Sequence, residues 1–219
     1  MWNEQIIMML LEGIKDTLYM TLTSTLIGYV IGLPMGIVLT VTDKDGIRPN
    51  AAVYKVLDVI SNLLRSIPFI ILLIVLIPFT RFVVGRSYGS TATIVPLTIA
   101  AAPYIARMVE SSLKEVDAGV IEAARSMGAS DFQIVTKVML VEARTSLIVG
   151  ATISLGTILG YSAMAGTVGG GGLGDIAIRY GYTRWQTDIM VVTVVLLVIL
   201  FQIFQTIGMK IANRLDRRK

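Results

Sequence analysis

The sequence predicts an all-α integral membrane protein with five transmembrane helices and one polar helix–turn–helix elbow between two of them. Three observations carry that expectation. Mean hydropathy is +0.75 and 54% of the residues are hydrophobic, well above an ordinary soluble domain. Five stretches have the roughly 20 apolar residues needed to cross the ~30 Å hydrocarbon core. Charge is sparse and collects between those stretches.

In order, 1–219 reads as a single transmembrane domain. Met1 to Asp16 carries Glu4, Glu12, Lys15 and Asp16 and has neither a basic start nor a small-residue cleavage site, so it reads as an amphipathic lead-in rather than a cleaved signal. The first span, about 17–41, has no charge, and Gly28, Gly32 and Gly36 recur every four residues on one helix face. Such a groove permits close helix packing in lipid. Pro34 lies in the same span and is expected to bend it. A polar loop over 42–58 follows, with Gly46 and Pro49 as breakers, and the second span is placed at 59–79, between Pro68 near its start and Pro78 at its end. The third, 90–109, carries Pro96 and Pro103, so bent helices recur in three successive spans. The fourth, 145–165, holds Thr152, Ser154, Thr157, Tyr161 and Ser162. Hydroxyls in a membrane helix usually back-bond to the preceding turn, yet a cluster of them also suits a water-accessible path.

Val168 to Gly174 contains five glycines and literally matches G-x-G-x-x-G. No strand precedes it and no Lys-Ser/Thr pair follows, so it reads as a mobile or tightly turned loop rather than a nucleotide site. The last span is placed at 189–209, and the chain closes with Lys210, Arg214, Arg217, Arg218 and Lys219.

The elbow occupies 117–142. Asp117 is an N-cap candidate, Val120, Ile121, Ala124 and Met127 share one helical face, and Gly128 is the expected left-handed stop. Ser130-Asp131-Phe132-Gln133 reads as a capping box that starts a second helix. Ala123, Ala124 and Gly128 would let a partner approach closely, while Glu122, Arg125, Lys137, Glu142 and Arg144 keep the segment in water. From composition alone the elbow is either an amphipathic connector on the membrane surface or a docking element.

Fourteen of the nineteen Lys and Arg residues fall on the side of the 42–58 loop, the elbow and the C-terminus. The positive-inside rule places that side in the cytoplasm and the N-terminus outside. Net charge of +4 is thereby explained without nucleic acid. Cysteine and histidine are absent, which removes disulfides, thiol and imidazole chemistry and the usual zinc ligands, and no metal site is expected. The span interiors hold no ionisable residue of the kind that proton- or sodium-coupled pumps place at depth, and the chain has no phosphate-binding loop of its own. Uphill transport would need energy from another subunit. The competing readings are an intramembrane enzyme, for which no catalytic dyad is available, and a passive, non-transporting assembly subunit.

Glu122-Ala123-Ala124, then Gly128, Val138 and Leu140 at their spacing, resemble the EAA loop of ABC-importer permeases. Val138 stands where that family usually has isoleucine and Val141 where it usually has proline. The runs Arg65 to Ile70, Ile77 to Arg81, Ala102 to Glu110 and Gly160 to Met164 are similar to the methionine-importer permeases. The resemblance implies that Glu122, Ala123, Ala124, Met127 and Gly128 form a cytoplasmic coupling helix docking on an ATPase. It further implies a homodimer in lipid, two ATPase subunits carrying ATP and Mg, an extracytoplasmic methionine-binding protein, no cofactor on this chain, and D- and L-methionine as substrates. Another amino acid or a short peptide is the alternative cargo. Methionine has a thioether chain and a zwitterionic head, so Tyr161, Ser162 and Met164, beside the glycine loop, are the expected lining of the translocation path, with packing of the dimer interface the alternative for Tyr161 and Met164.

Overall fold

The computed structural model describes residues 4–216; Arg217, Arg218 and Lys219 of the basic tail lie outside the described residues. Helix α1, Glu4–Thr42, takes in both the lead-in and the first span and runs through Pro34 without a break. Its Gly28, Gly32 and Gly36 are buried against α5, Ser90–Lys114. A Cβ on Gly32 would stand 2.6 Å from the Ala102 carbonyl oxygen, and one on Gly36 would stand 2.5 Å from that of Ala106. Only bare backbone fits, so the two helices meet at van der Waals range where lipid supplies no hydrophobic drive. Helix α5 is the hub of the bundle: Leu97, Ala101, Ile105 and Ala106 have no exposed surface, and the helix continues through Pro96 and Pro103.

The second span, expected as a bent helix over 59–79, is broken outright. Helix α2, Ala51–Ser66, starts earlier, where Asn50 accepts a cap hydrogen bond from the Val53 amide, and α3, Phe69–Val75, leaves it at 101°. The cause is local. Proline drives the residue before it out of the helical region, and Ile67 and Pro68 are accordingly extended, with ψ of 124° and 132°. Helix α4, Ile77–Val84, completes this arm and carries Pro78 in its first turn, where a missing amide costs nothing. Tyr54 reaches Glu110 and Asp58 reaches Arg107, so α2 runs antiparallel to the second half of α5.

The elbow contains α6, Ala118–Ser126, and α7, Asp131–Gln133, which continues through a π-helical segment, Ile134–Met139, into α8, Leu140–Glu142. Helix α9, Arg144–Ala165, packs on α11, Thr187–Leu215. Gly156 lies under Phe201, whose ring a Cβ would approach to 2.5 Å, and Gly208 faces Thr152. Between them lie a 3-10 turn, Gly166–Val168, then α10, Gly172–Ile176, and a π-helical segment, Ala177–Tyr182.

The glycine loop is tightly turned rather than mobile. Gly169, Gly171 and Gly172 have φ of 75°, 84° and 74°. The Gly169 carbonyl accepts from the Gly89 amide at 2.9 Å, the Gly170 carbonyl from Thr93 Oγ1 at 3.1 Å, and the Leu173 amide donates to Thr17 Oγ1 at 2.9 Å. These polar groups are spent on tying α1, α5 and α9 together, which leaves no phosphate cradle. Among the described residues four helical runs are long and apolar enough to cross a membrane, and the α2–α3 pair, counted as one broken span, makes five. Among the described residues there is no strand.

Gly36→Leu should separate α1 from α5 at a cost of about 2 kcal/mol, the middle of the range for overpacked cores. A lowered melting temperature of the purified protein, set against an unchanged Gly160→Ala control that meets open space, is the expected result.

Candidate functional site

The elbow is stiffened at both ends of its turn by backbone chemistry. Asp117 caps α6 by accepting from the Gly119 amide at 2.8 Å. At the other end Gly128, with φ of 81°, donates to the Arg125 carbonyl at 2.9 Å, and the Ala129 amide donates to the Ala124 carbonyl at 3.1 Å. That pair of bonds is the Schellman closure, which only a left-handed residue at Gly128 allows without strain. Ser130 and Gln133 then form a reciprocal capping box. Arg125 donates to the Ile47 carbonyl at 2.8 Å and ties the elbow to the α1–α2 connection.

The expected face of Val120, Ile121, Ala124 and Met127 is divided. Ala124 is 6% exposed and belongs to the core cluster that holds Ile134 and Met139, with Ile121 packed on it. It therefore points into the protein's own interior, which corrects its expected place on a docking surface. Met127 sits at the end of the helix, where the glycine turn redirects the chain, and is 82% exposed. Glu122, Ala123 and Gly128 are exposed as well. Phe132, 76% exposed in the first turn of α7, joins Met127 as an uncovered apolar group that the sequence reading missed. Its signal was an aromatic inside a capping box, where only polar residues have a local reason to be.

The second feature missed is a set of ion pairs where α5 approaches the elbow. Glu110 is 5% exposed, and its carboxylate accepts from Arg107 at 2.7 Å and Lys114 at 2.8 Å, with the Tyr54 hydroxyl at 3.4 Å. Arg107 also pairs with Asp58 on α2, and Lys114 reaches Asp43, just past α1, at 2.7 Å. The i, i+3 and i+4 spacing of Arg107, Glu110 and Lys114 was visible in sequence, whereas the two aspartates come from other elements. The Lys114 hydrogen bond holds the Asp43 carboxyl below the usual carboxylate range, helped by the Lys44 amide.

The three expected path residues do not share one wall. Ser162 is 1% exposed and donates to the Leu159 carbonyl at 2.7 Å, while Thr21 lies 3.5 Å from it on α1, so it is spent inside the bundle. Tyr161 is half-buried with its ring flat on Phe69, at 4.6 Å between centroids and 5° between planes. Met164 is 51% exposed and shares an open face of α9 with Ile153 and Gly160, beside the half-buried Thr157, whose Oγ1 lies 3.4 Å from the Tyr104 hydroxyl. Thr152, Ser154 and Thr157 back-bond to Ile148, Gly150 and Ile153, the commoner use of such hydroxyls. Where the elbow meets the ends of α9 and α11, a cleft of about 560 Å³ opens between Glu115, Asp117, Val120, Glu142, Arg144 and Leu215. No group of residues suited to hold a metal ion occurs among the described residues.

A hub helix sealed by a glycine stripe, a broken second span and a capped elbow between two spans make up a membrane-spanning helical bundle with one stiff polar elbow. The chain belongs to the family of binding-protein-dependent transport system inner membrane components, which it matches over residues 16–219. Within that family it is 48% identical, over 96% of this chain and 93% of the relative, to the probable D-methionine transport system permease protein MetI of Vibrio cholerae. It is 53% identical, over 75% of this chain and 76% of the relative, to the D-methionine transport system permease protein MetI of Escherichia coli. A chain from a solved structure of the MetNI methionine ABC transporter in an inward-facing conformation superposes with a TM-score of 0.96 at 50% identity, covering 99% of this chain and 100% of that one. A chain of an amino acid ABC transporter solved with histidines shares the fold, with a TM-score of 0.78 at 20% identity over 96% of this chain and 95% of that one.

Because the Asp43 carboxyl is depressed, its contribution to stability is complete above about pH 4, where an unfolded aspartate ionises, and is lost as pH falls through the lower folded value. The melting temperature of the wild type should drop on acidification through that window. Asp43→Asn should start lower and show a smaller drop.

Proposed function

We propose that this chain is the permease subunit of an ATP-driven importer of D- and L-methionine. Two copies pair in the membrane with two cytoplasmic ATPase subunits, which carry ATP and Mg, and an extracytoplasmic methionine-binding protein delivers the substrate. Likeness to the methionine permeases along nearly the whole chain supports the substrate and the partners. The observation that carries the division of labour is the elbow. Its backbone is fixed by a Schellman closure and a capping box, while Met127 and Phe132 stand uncovered on it.

A rigid motif with two exposed apolar anchors binds a cleft without a large ordering cost. Burying one such side chain yields about 1.5–3 kcal/mol. Glu122, Ala123 and Gly128 frame those anchors, and Ala124 supports them from beneath. When the ATPases close on ATP, the elbow is displaced as a unit and passes the movement to α5 and α9, which flank it in the chain.

The path lies along the open face of α9. Ile153, Gly160 and Met164 give a soft, uncharged wall, and Thr157 adds a hydroxyl. A second copy related by a two-fold axis supplies the opposite wall. Tyr161, braced on Phe69, adjoins that face, and Ser162 holds α9 against α1 behind it. The excess of Lys and Arg on the side of the elbow and the C-terminus supports a cytoplasmic elbow and C-terminus, with the N-terminus outside.

ATP-dependent uptake of labelled methionine by vesicles containing the reconstituted complex tests the function. Uptake should be abolished by Met127→Asp, which places a charge in the ATPase cleft, and strongly reduced by Met164→Asp in complexes that still assemble. Wild-type uptake by the first variant would remove the elbow from the coupling role. Orientation is checked with an impermeant thiol reagent applied to intact cells, where a cysteine at Gln186 should react and one at Asp131 should not.

A further inference from the structure

Glu110 is the most buried carboxylate in the ion-pair set, and nothing in the docking or path assignments uses it. A buried ion pair rarely stabilises more than well-packed apolar side chains of the same volume would. Its retention asks for a reason beyond stability, and its connections supply one.

Helix α5 ends at Lys114, and only Glu115 and Val116 separate it from the Asp117 cap of the elbow. Movement of the elbow therefore reaches the end of α5 with almost no slack. There the Glu110 carboxylate holds both Arg107 and Lys114, and those two cations reach out to separate elements. Lys114 fixes Asp43 at the end of α1, and Arg107 fixes Asp58 in α2, with the Asp58 carbonyl also accepting from its Nη2 at 3.3 Å. The elbow makes a second tie to the same body through Arg125 and the Ile47 carbonyl. Beyond Asp58, α2 runs to the Pro68 break, immediately after which Phe69 lies flat on Tyr161 of α9.

We infer that Glu110 is a positioning residue for transport, locking the end of α1, the middle of α2 and the end of α5 into one lever that carries displacement of the elbow to Phe69 and Tyr161 beside the path. This rests on the coupling role given to the elbow above. Removing the charge of Glu110 leaves Arg107 and Lys114 held only by their outer partners Asp58 and Asp43, so both side chains lose the fixed orientation that keeps α1 and α2 in step with α5. The complex then hydrolyses ATP without moving the path wall in step.

The test is the amount of methionine imported per ATP hydrolysed by the full reconstituted complex. Glu110→Gln preserves shape and removes the charge, and import per ATP should fall about tenfold, a typical size for a coupling between sites. Combining it with Phe69→Ala should add no further loss, because both act through one linkage. A lowered melting temperature with a wild-type ratio would show a merely structural role and overturn the inference, as would additive losses in the double variant. If Glu110→Gln does not assemble, Asp43→Asn and Asp58→Asn, which each cut one outer tie, are read in the same way. Lowered ratios in both support the lever, and wild-type ratios in both overturn it. Met127→Asp separates the two levels: a wild-type ratio there overturns the elbow reading and the lever with it, whereas loss there with a wild-type ratio in the Glu110 variant overturns the lever alone.

Discussion

The bundle depends on how closely α1 can approach α5. In lipid, helices gain nothing by hiding apolar side chains from one another, so association must come from short-range packing and polar contacts. Three glycines in register let the α1 backbone rest on the Ala102 and Ala106 carbonyls, and even one added methyl group at Gly36 would have no space. This contact places the inner end of α5, and with it both the ion pairs and the entry to the elbow. The same device holds the other half, where Gly156 and Gly208 let α9 and α11 close on each other.

Polar groups are used differently at different places along the bundle. Within the spans, serine and threonine hydroxyls mostly return to the carbonyl one turn back, which satisfies them without any partner helix. At the end of α5, Glu110 is shared between a guanidinium and an ammonium. Charges at that level are tolerable because each is paired and the approach to water is short. The glycine loop satisfies a third need, since its backbone groups close the opposite end of the bundle by bonding to Gly89, Thr93 and Thr17.

The elbow joins local and long-range order. Its caps and its glycine turn make it stiff by themselves, and Ala124 and Arg125 seat it on the rest of the chain. A stiff segment seated in this way can transmit force, whereas a flexible one would absorb it. Met127 and Phe132 are left uncovered because the chain's own interior has already been filled from the opposite face of the same helices.

Features governed by near neighbours were legible in the residues alone. Hydropathy located the apolar spans, the four-residue spacing of Gly28, Gly32 and Gly36 put them on one face, and Asp117, Gly128 and Ser130 marked the caps they form. Each of these depends on groups within about one helical turn, so spacing carries the information. What tertiary structure decided is everything that needs a second element. Pro68 announced a bend, but the 101° turn away from α2 also needed α5 and Tyr161 as surfaces to meet. Ala124 faces inward and Met127 outward because of where Ile134 and Met139 return, and Ser162 faces the bundle interior, where Thr21 stands opposite it on α1. Glu110 found Asp43 as an indirect neighbour through the packing of α1 on α5, and Asp58 through the antiparallel register of α2 on α5. Residues 49 positions apart along the chain, as Asp58 is from Arg107, have no spacing rule to join them. Their meeting is fixed by packing, which a linear pattern does not encode.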